Sequence, residues 1–411
     1  MQCQLNSETR SLQQSAELTM PNCRTLPYRV VFCTNLLPPY RLAVLKVLAD
    51  GLRAFTVLVS TAMEAKGNGK VGWDGLHVMV QRCWSIRTSG RHPLGFSERL
   101  TIHLPYDTPF LLYRLRPDVV ISAEMGVRTV LSALYCALRP ACRLVIWCDL
   151  SEGTEAGRGR VRIWLRRGLL RCASAVLVNG ASGRQYVESL GGHPERIRTV
   201  PYATDVDLFL RLPVARQPAA RRRLLCVGRL IPSKGITPFL GICARWCREH
   251  ASRNLEICFV GEGELRSGIA EWEPPVNMTV RIQSAVQYRN MPEVYQTGGV
   301  LVLPTLADTW ALVVNEAMAS GLPVLGSVHS QAVDEMVSEG VNGWRFRSDD
   351  AEDSYRALCR AMDCSDQQLE SMGRSARETA SAIGPELVAG LVMQALDSVS
   401  ACQRITFPTA P

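Results

Sequence analysis

Two cations stand five residues apart in Val227-Gly228-Arg229-Leu230-Ile231-Pro232-Ser233-Lys234-Gly235. An apolar run ends in a glycine, and the pair follows on a turn. Glycine lets a ligand approach the backbone closely. Arginine offers a planar fork for phosphate, and lysine a mobile point charge. Two cations at the carboxyl end of a strand suit a diphosphate; a solvated surface turn is the plainer alternative. A second segment runs from Leu303 to Pro323. Its strand and loop predict a helix that starts near Thr309 and stops at Gly321 and Pro323. Seven residues separate Asp308 from Glu316, about two helical turns, so both can face one ligand. The helix N-terminus would add free N–H groups and a positive dipole end. A simple N-cap is the alternative for Asp308. A solvated carboxylate is the alternative for Glu316, although Val314 and Met318 beside it are apolar. A third segment, Val260-Gly261-Glu262-Gly263-Glu264-Leu265, follows a strand, but Arg266 stands where a full G-x-G-x-x-G needs its last glycine.

Two strand-and-helix series must carry these segments. The first has strands predicted at Arg29–Cys33, Ala54–Ser60, Asp118–Ser122, Leu144–Cys148 and Ala175–Asn179, with helices that include Arg41–Leu52 and Arg128–Leu138. After a connection rich in Pro and Arg at Leu210–Arg223, the alternation restarts. Strands follow at Arg223–Val227, Leu255–Val260, Val300–Leu303 and Pro323–Gly326, with helices at Thr237–His250, Met291–Thr297 and Thr309–Ser320. The stretch from Asp350 to about Val399 reads as helix throughout. Such alternation implies parallel sheets covered by helices. The expected organisation is a loose extension over 1–27, a first Rossmann-like domain over 28–210, a second over 211–385, and a C-terminal helix and tail over 386–411 that could cross back to the first domain. Ligands of open α/β sheets sit beyond the carboxyl ends of the strands, so the site is expected where the two sets of strand ends face each other.

Composition narrows the class. The chain has 411 residues, of which 47% are hydrophobic and 20% charged, as in ordinary globular proteins. No uninterrupted apolar run approaches the ~18 residues of a spanning helix, and the polar N-terminus lacks the plan of a secretory signal. Fifteen cysteines fall mostly within apolar runs, without C-x-x-C, and read as buried thiols in a reducing compartment. Through Leu210 there are 26 basic and 16 acidic residues; beyond it, 20 and 22. The basic half favours anionic partners. Arg158, Arg160, Arg162, Arg166, Arg167 and Arg171 lie on one predicted helix, with Val161, Trp164, Leu165, Gly168, Leu169 and Cys172 as its apolar stripe. Two readings stand: a helix lying on anionic lipid, or one packed on the domain with solvated arginines. No aromatic series interleaves with the arginines, which speaks against nucleic acid.

The blocks G-R-L-x-x-x-K-G, V-G-x-G and P-x-x-x-D-x7-E-A-M-A-S-G-x-P-V, in this order, resemble the retaining glycosyltransferases of the GT-B fold, glycosyltransferase family 4. The resemblance covers about Arg222–Arg347 and, more loosely, Ala173–Phe209. It implies two Rossmann-like domains facing across a cleft, with C-terminal helices. It further implies that Arg229 and Lys234 neutralise the departing diphosphate and that Asp308, in place of the family's first Glu, contacts the transferred sugar. Glu316 would bind the ribose. Gly228, Gly261 and Gly263 would line the nucleotide pocket, and the backbone of Thr309, Trp310, Ala311 and Leu312 would hold the distal phosphate and sugar. Ala311 replaces a usual Gly. Asn35-Leu36-Leu37-Pro38-Pro39-Tyr40-Arg41 replaces the usual Gly-Gly loop. Cys148-Asp149-Leu150-Ser151-Glu152-Gly153-Thr154 stands where a His is usual. Asn35, Tyr40 and Glu152 are the acceptor-side candidates.

The expected activity is transfer of a hexose-type sugar from a UDP-sugar or GDP-sugar to a polysaccharide, glycolipid or lipid-linked acceptor, without metal or other cofactor. Asp205-Val206-Asp207 is discounted as a metal site because its loop matches a common segment of the family. The alternatives are a non-catalytic sugar-nucleotide-binding subunit and a GT-B sugar-nucleotide epimerase. The expected location is the cytoplasm, with peripheral contact at the inner face of a membrane.

Overall fold

A computed structural model describes residues 25–61, 73, 75–157 and 159–401. Most of the expected extension, together with Arg158 and the tail from 402, lies outside the described residues. The first sheet draws on β1 (Leu26–Thr34), β2 (Leu52–Val59) and β3 (His77–Val80). A separate antiparallel hairpin of β4 (Trp84–Arg91) and β5 (Ser97–Leu104) follows. β6 (Val119–Ala123), β7 (Arg143–Cys148), β8 (Ala175–Val178) and β9 (Ile197–Thr199) then complete the sheet. Its seven strands are all parallel, in the order β3-β2-β1-β6-β7-β8-β9. The second sheet has β10 (Leu224–Val227), β11 (Leu255–Val260), β12 (Met278–Gln283), β13 (Val300–Leu303), β14 (Val324–Ser327) and β15 (Gly343–Phe346), parallel in the order β12-β11-β10-β13-β14-β15. The expected pair of Rossmann-like units is therefore present. Val57, Leu58, Ile121, Ile146, Leu177, Ile257 and Leu301 are fully buried, as expected of strands covered on both faces.

Six strands, β3, β4, β5, β9, β12 and β15, and two helices differ from the sequence-based expectation. The strands absent from it are short or open: β12 alternates exposed residues with buried or half-buried ones, and every β4 residue but one is exposed. The helix expected to start near Thr309 spans Val313–Ala319. Asp308 instead pairs in extended form with Ser330, and Ala311 takes φ +74°, which interrupts a helical path. Asp308 is therefore not a helix cap. The helix Arg160–Cys172 buries Arg166 and leaves Val161 and Trp164 outside, reversing part of the expected stripe.

The last helix, Pro385–Ala401, packs on Pro39–Asp50. Val388, Ala389, Val392, Ala395 and Leu396 join the same core as Phe32, Leu45 and Val57 of the first domain, and the Tyr28 hydroxyl donates to Asp397 at 3.0 Å. By length and composition alone, Asp366–Ser400 could cross a membrane. Residues 382–384 interrupt it, however, and its apolar side is spent on the second domain's core before that break and on the first domain's core after it. The twelve described cysteines are free thiols, seven of them buried among apolar residues.

Candidate active site

The second sheet reverses its strand order between β10 and β13, and the first between β1 and β6. Crevices open at such switch points. Arg229 and Lys234 follow β10; Asp308 and Trp310 follow β13. Gly235, at φ +63°, lets the Lys234 turn meet the other loop: a Cβ there would fall 2.0 Å from the Pro304 carbonyl oxygen. Leu306 N–H and Thr305 Oγ1 both donate to the Ser233 carbonyl, at 2.9 and 3.2 Å. Lys234 and Asp308 join in a half-buried ion pair. Arg229 is exposed and has no ion-pair partner among the described residues.

The three glycines expected to line the pocket divide. Gly228 has φ +135° and open space where a Cβ would stand, so a ligand can approach its backbone. A Cβ on Gly261 would lie 1.9 Å from the Gly228 carbonyl oxygen, and one on Gly263 would lie 2.2 Å from that of Leu230. Packing of the two loops against each other accounts for these two glycines, and Leu230 N–H donating to Glu262 O at 2.9 Å locks that packing.

Past Asp308, the buried Trp310 donates its indole N–H to Asn315 Oδ1 at 2.8 Å. Asn315 Nδ2 donates in turn to the Tyr202 carbonyl at 3.0 Å. The Ala311 and Leu312 N–H groups have no acceptor among the described residues, so they are free to bind an anion. Glu316 is only 6% exposed, which excludes the solvated reading. It accepts a hydrogen bond from Tyr295 Oη at 2.7 Å. Burial pushes its pKa up to about 7, against the pull of the Tyr295 hydroxyl. Asp308 and Glu316 do not share a helix face: one lies on the loop against Lys234, the other in the core of its helix.

Across the cleft, Asn35 after β1 donates to Glu124 after β6 at 3.2 Å. Glu124 has φ +65°, a strained placement of the kind found at functional sites. Crowding by protein raises its pKa, with Asp149 adding to the effect and Arg128 opposing it. Arg128 is buried. It bonds Asn35, reaches Ser60 Oγ at 2.7 Å and leaves its Nε without a partner. Arg41 is buried against the rings of Trp147 and Tyr202, 5.3 and 5.1 Å from their centroids. Its guanidinium bonds Asp149 at 2.5 Å and Tyr202 Oη at 2.6 Å. Burial raises the Tyr40 pKa; Arg41 opposes this, while Asp149, Glu316 and Asp308 add to it. Tyr40 therefore sits where the two domains' charges meet. Glu152 is different: its carboxylate is exposed, and no hydrogen bond or ion pair joins it to Asn35 or Tyr40.

Hydrogen bonds hold the domains together beside the site. Ser151 Oγ donates to the Asp308 carbonyl at 3.2 Å, and Asn179 Nδ2 to that of Thr309 at 2.6 Å. Gln331 Nε2 donates to the Leu150 carbonyl and Gln331 Oε1 accepts from Gly183 N–H, both at 2.9 Å. Asp149, Ser151 and Arg41 lie within segments whose departures from the family pattern were legible in the sequence. Glu124, Arg128, Asn179 and Gln331 come singly from separate strand ends or helices, with no motif around them. Asp205 caps the helix Val206–Leu210, accepting from Leu208 N–H at 3.4 Å. Among the described residues, no three His, Cys, Asp or Glu side chains are grouped to hold a metal.

Residues 42–203 match the glycosyl transferase 4-like domain, and residues 221–364 match glycosyl transferases group 1. A D-inositol 3-phosphate glycosyltransferase of Geodermatophilus obscurus is 28% identical over 281 residues, covering 60% of this chain and 58% of that protein. A UDP-Gal:alpha-D-GlcNAc-diphosphoundecaprenol alpha-1,3-galactosyltransferase of Escherichia coli is 22% identical over 226 residues, 52% of this chain and 57% of that protein. The chain spans about half the length of the curated relatives it matches. Among solved structures, Anabaena Alr3699/HepE in complex with UDP aligns with a TM-score of 0.68 at 16% identity, over 90% of this chain and all of that one.

Proposed function

The chain belongs to the GT-B glycosyltransferases, a glycosyl transferase 4-like domain followed by a group 1 domain, and from that premise we propose that it moves a hexose-type sugar, with retention, from a UDP-sugar to a glycan or lipid-linked acceptor. One observation carries the reading: Arg229, Lys234 and the unpaired N–H groups of Ala311 and Leu312 converge at the switch point between β10 and β13. Glycosyl transfer breaks the bond between the anomeric carbon and a phosphate oxygen. The acceptor hydroxyl oxygen bonds the same carbon as the nucleoside diphosphate leaves, and its proton passes to the departing phosphate oxygen. Negative charge grows on the diphosphate, and donors fixed in advance stabilise it without reorganising. Lys234 is held by Asp308 and turns to the diphosphate as that group arrives; Asp308 then faces the sugar. Glu316 takes the ribose hydroxyls. The cations suffice for this charge, so transfer is expected to proceed in chelator. Uridine is preferred over guanosine because HepE structures carry UDP and UDP-glucose. The relative acting on a diphosphoundecaprenol-linked sugar supports a lipid-linked acceptor.

Calorimetry without metal, comparing UDP, GDP and ADP on the wild type and on Arg229→Ala/Lys234→Ala, tests the clamp. Each charge-assisted contact is worth roughly 1.5–3 kcal/mol. UDP should therefore bind the wild type and lose about a hundredfold or more in affinity on the double variant. Equal affinity in both proteins would refute the assignment.

A further inference from the structure

The large apolar side chains left exposed are unevenly shared. Of fifteen among the described residues, thirteen precede Leu210, and only Val276 and Val341 lie in the second domain. Several gather on three helices of the first domain that pack side by side: Thr108–Leu115, Val127–Leu138 and Arg160–Cys172. Phe110, Tyr113, Leu134, Leu138, Val161 and Trp164 are exposed there, Leu138 at 75%, Trp164 at 76% and Val161 at 82%. Between the second and third helices runs an apolar groove of about 550 Å³, with Arg167 and Arg171 on its lining. None of the three helices contains an acidic residue. Arg160, Arg167 and Arg171 are exposed beside Trp164. Arg114 lies over the Phe110 ring and Arg139 over that of Tyr113.

Arg166 explains why Val161 and Trp164 of the apolar stripe face out while Leu169 stays buried. It is the buried arginine of its helix, bonded to Glu155 at 2.6 Å and to Tyr186 Oη at 2.5 Å. Turning that charge inward holds Trp164, two residues earlier, outward. An outward surface of aromatic and aliphatic side chains, ringed by arginines on helices that carry no carboxylate, has a definite complement. Tryptophan and tyrosine settle at the boundary of headgroups and acyl chains, and arginines meet the anionic headgroups. We propose that this three-helix face docks the protein onto an anionic lipid bilayer. The docked face also connects to the cleft. Ser151, which reaches the Asp308 carbonyl, opens the short helix Glu152–Glu155, and Glu155 anchors Arg166.

Flotation of the full chain with phosphatidylcholine vesicles, with and without phosphatidylglycerol, tests the proposal. The wild type should float with the anionic vesicles only. Arg160→Gln/Arg167→Gln/Arg171→Gln should weaken partition roughly a hundredfold, at about 1 kcal/mol for each charge. Leu138→Ser/Trp164→Ser should lose binding at raised salt, and Val276→Ser/Val341→Ser should float like the wild type. UDP calorimetry and thermal melts on the same preparations report the cleft and the fold separately. Equal flotation with both vesicle types, or an unchanged triple variant, would overturn the proposal. So would a lipid-free dimer that Trp164→Ser dissociates, because the face would then belong to a second copy.

Discussion

Ala311 holds a backbone conformation, φ +74°, that an L side chain enters at a cost of about 1–2 kcal/mol. The strain sits next to the N–H groups proposed to receive the distal phosphate. Ala311→Gly should raise stability by about 1 kcal/mol in urea unfolding and leave UDP binding intact, since the backbone path is already set. Glu316 makes a second prediction at this scale. Its pKa rises from an ordinary 4.5 to about 7 on folding. Between those values the native state holds a proton that the unfolded chain has released, so stability must fall as pH rises through that window. The fall should approach roughly 3 kcal/mol and be flat above it. Glu316→Gln should remove its share of the slope between pH 5 and pH 8, leaving the share of Glu124, which burial also raises. Arg229, Lys234, Asp308 and Glu316 were legible because each lies in a short segment whose residue types already suit a phosphate or a sugar. Glu124, Arg128 and Gln331 were not, because only the sheet order brings them to the cleft.

At the scale of elements, the period of Arg160–Cys172 was legible but its orientation was not. An apolar stripe normally faces inward; here Glu155 and Tyr186 draw Arg166 in instead. Removing one partner of a buried pair leaves an uncompensated charge. Arg166→Ala should therefore destabilise by about 3–5 kcal/mol. Arg166→Ala/Glu155→Ala should cost clearly less than the sum of the two single changes, a coupling that a denaturation cycle measures. The long buried strands were legible because their apolar runs are continuous. The β4–β5 hairpin was hidden, because the exposed arginines and serines of β4 break up the apolar run that marks a buried strand. The helix start near Thr309 was misplaced because the one sign of the left-handed turn at Ala311 is the Gly usual there in the family, and alanine conceals it.

For the whole molecule, the two-domain plan was legible from the restart of the strand–helix alternation after Arg223. How the domains meet was not, because it rests on single polar side chains. Gln331 alone bonds Leu150 and Gly183 of the opposite domain. Gln331→Ala should loosen that edge of the cleft. Small-angle scattering should then show a larger radius of gyration, and UDP should restore part of the compaction. An unchanged scattering profile would place the hold on Ser151, Asn179 and Glu335, which accepts from Ala181 N–H at 2.6 Å, instead.

The return of Pro385–Ala401 to the first domain bears on how the chain is made. Val388, Ala389, Val392, Ala395 and Leu396 complete a core whose other buried members leave the ribosome more than 180 residues earlier. The domain translated first is thus the one completed last. While the second sheet emerges, the apolar side of Pro39–Asp50 stays uncovered, a natural hold for a chaperone during synthesis. A chain released before Pro385 would carry a finished second domain joined to an open first one.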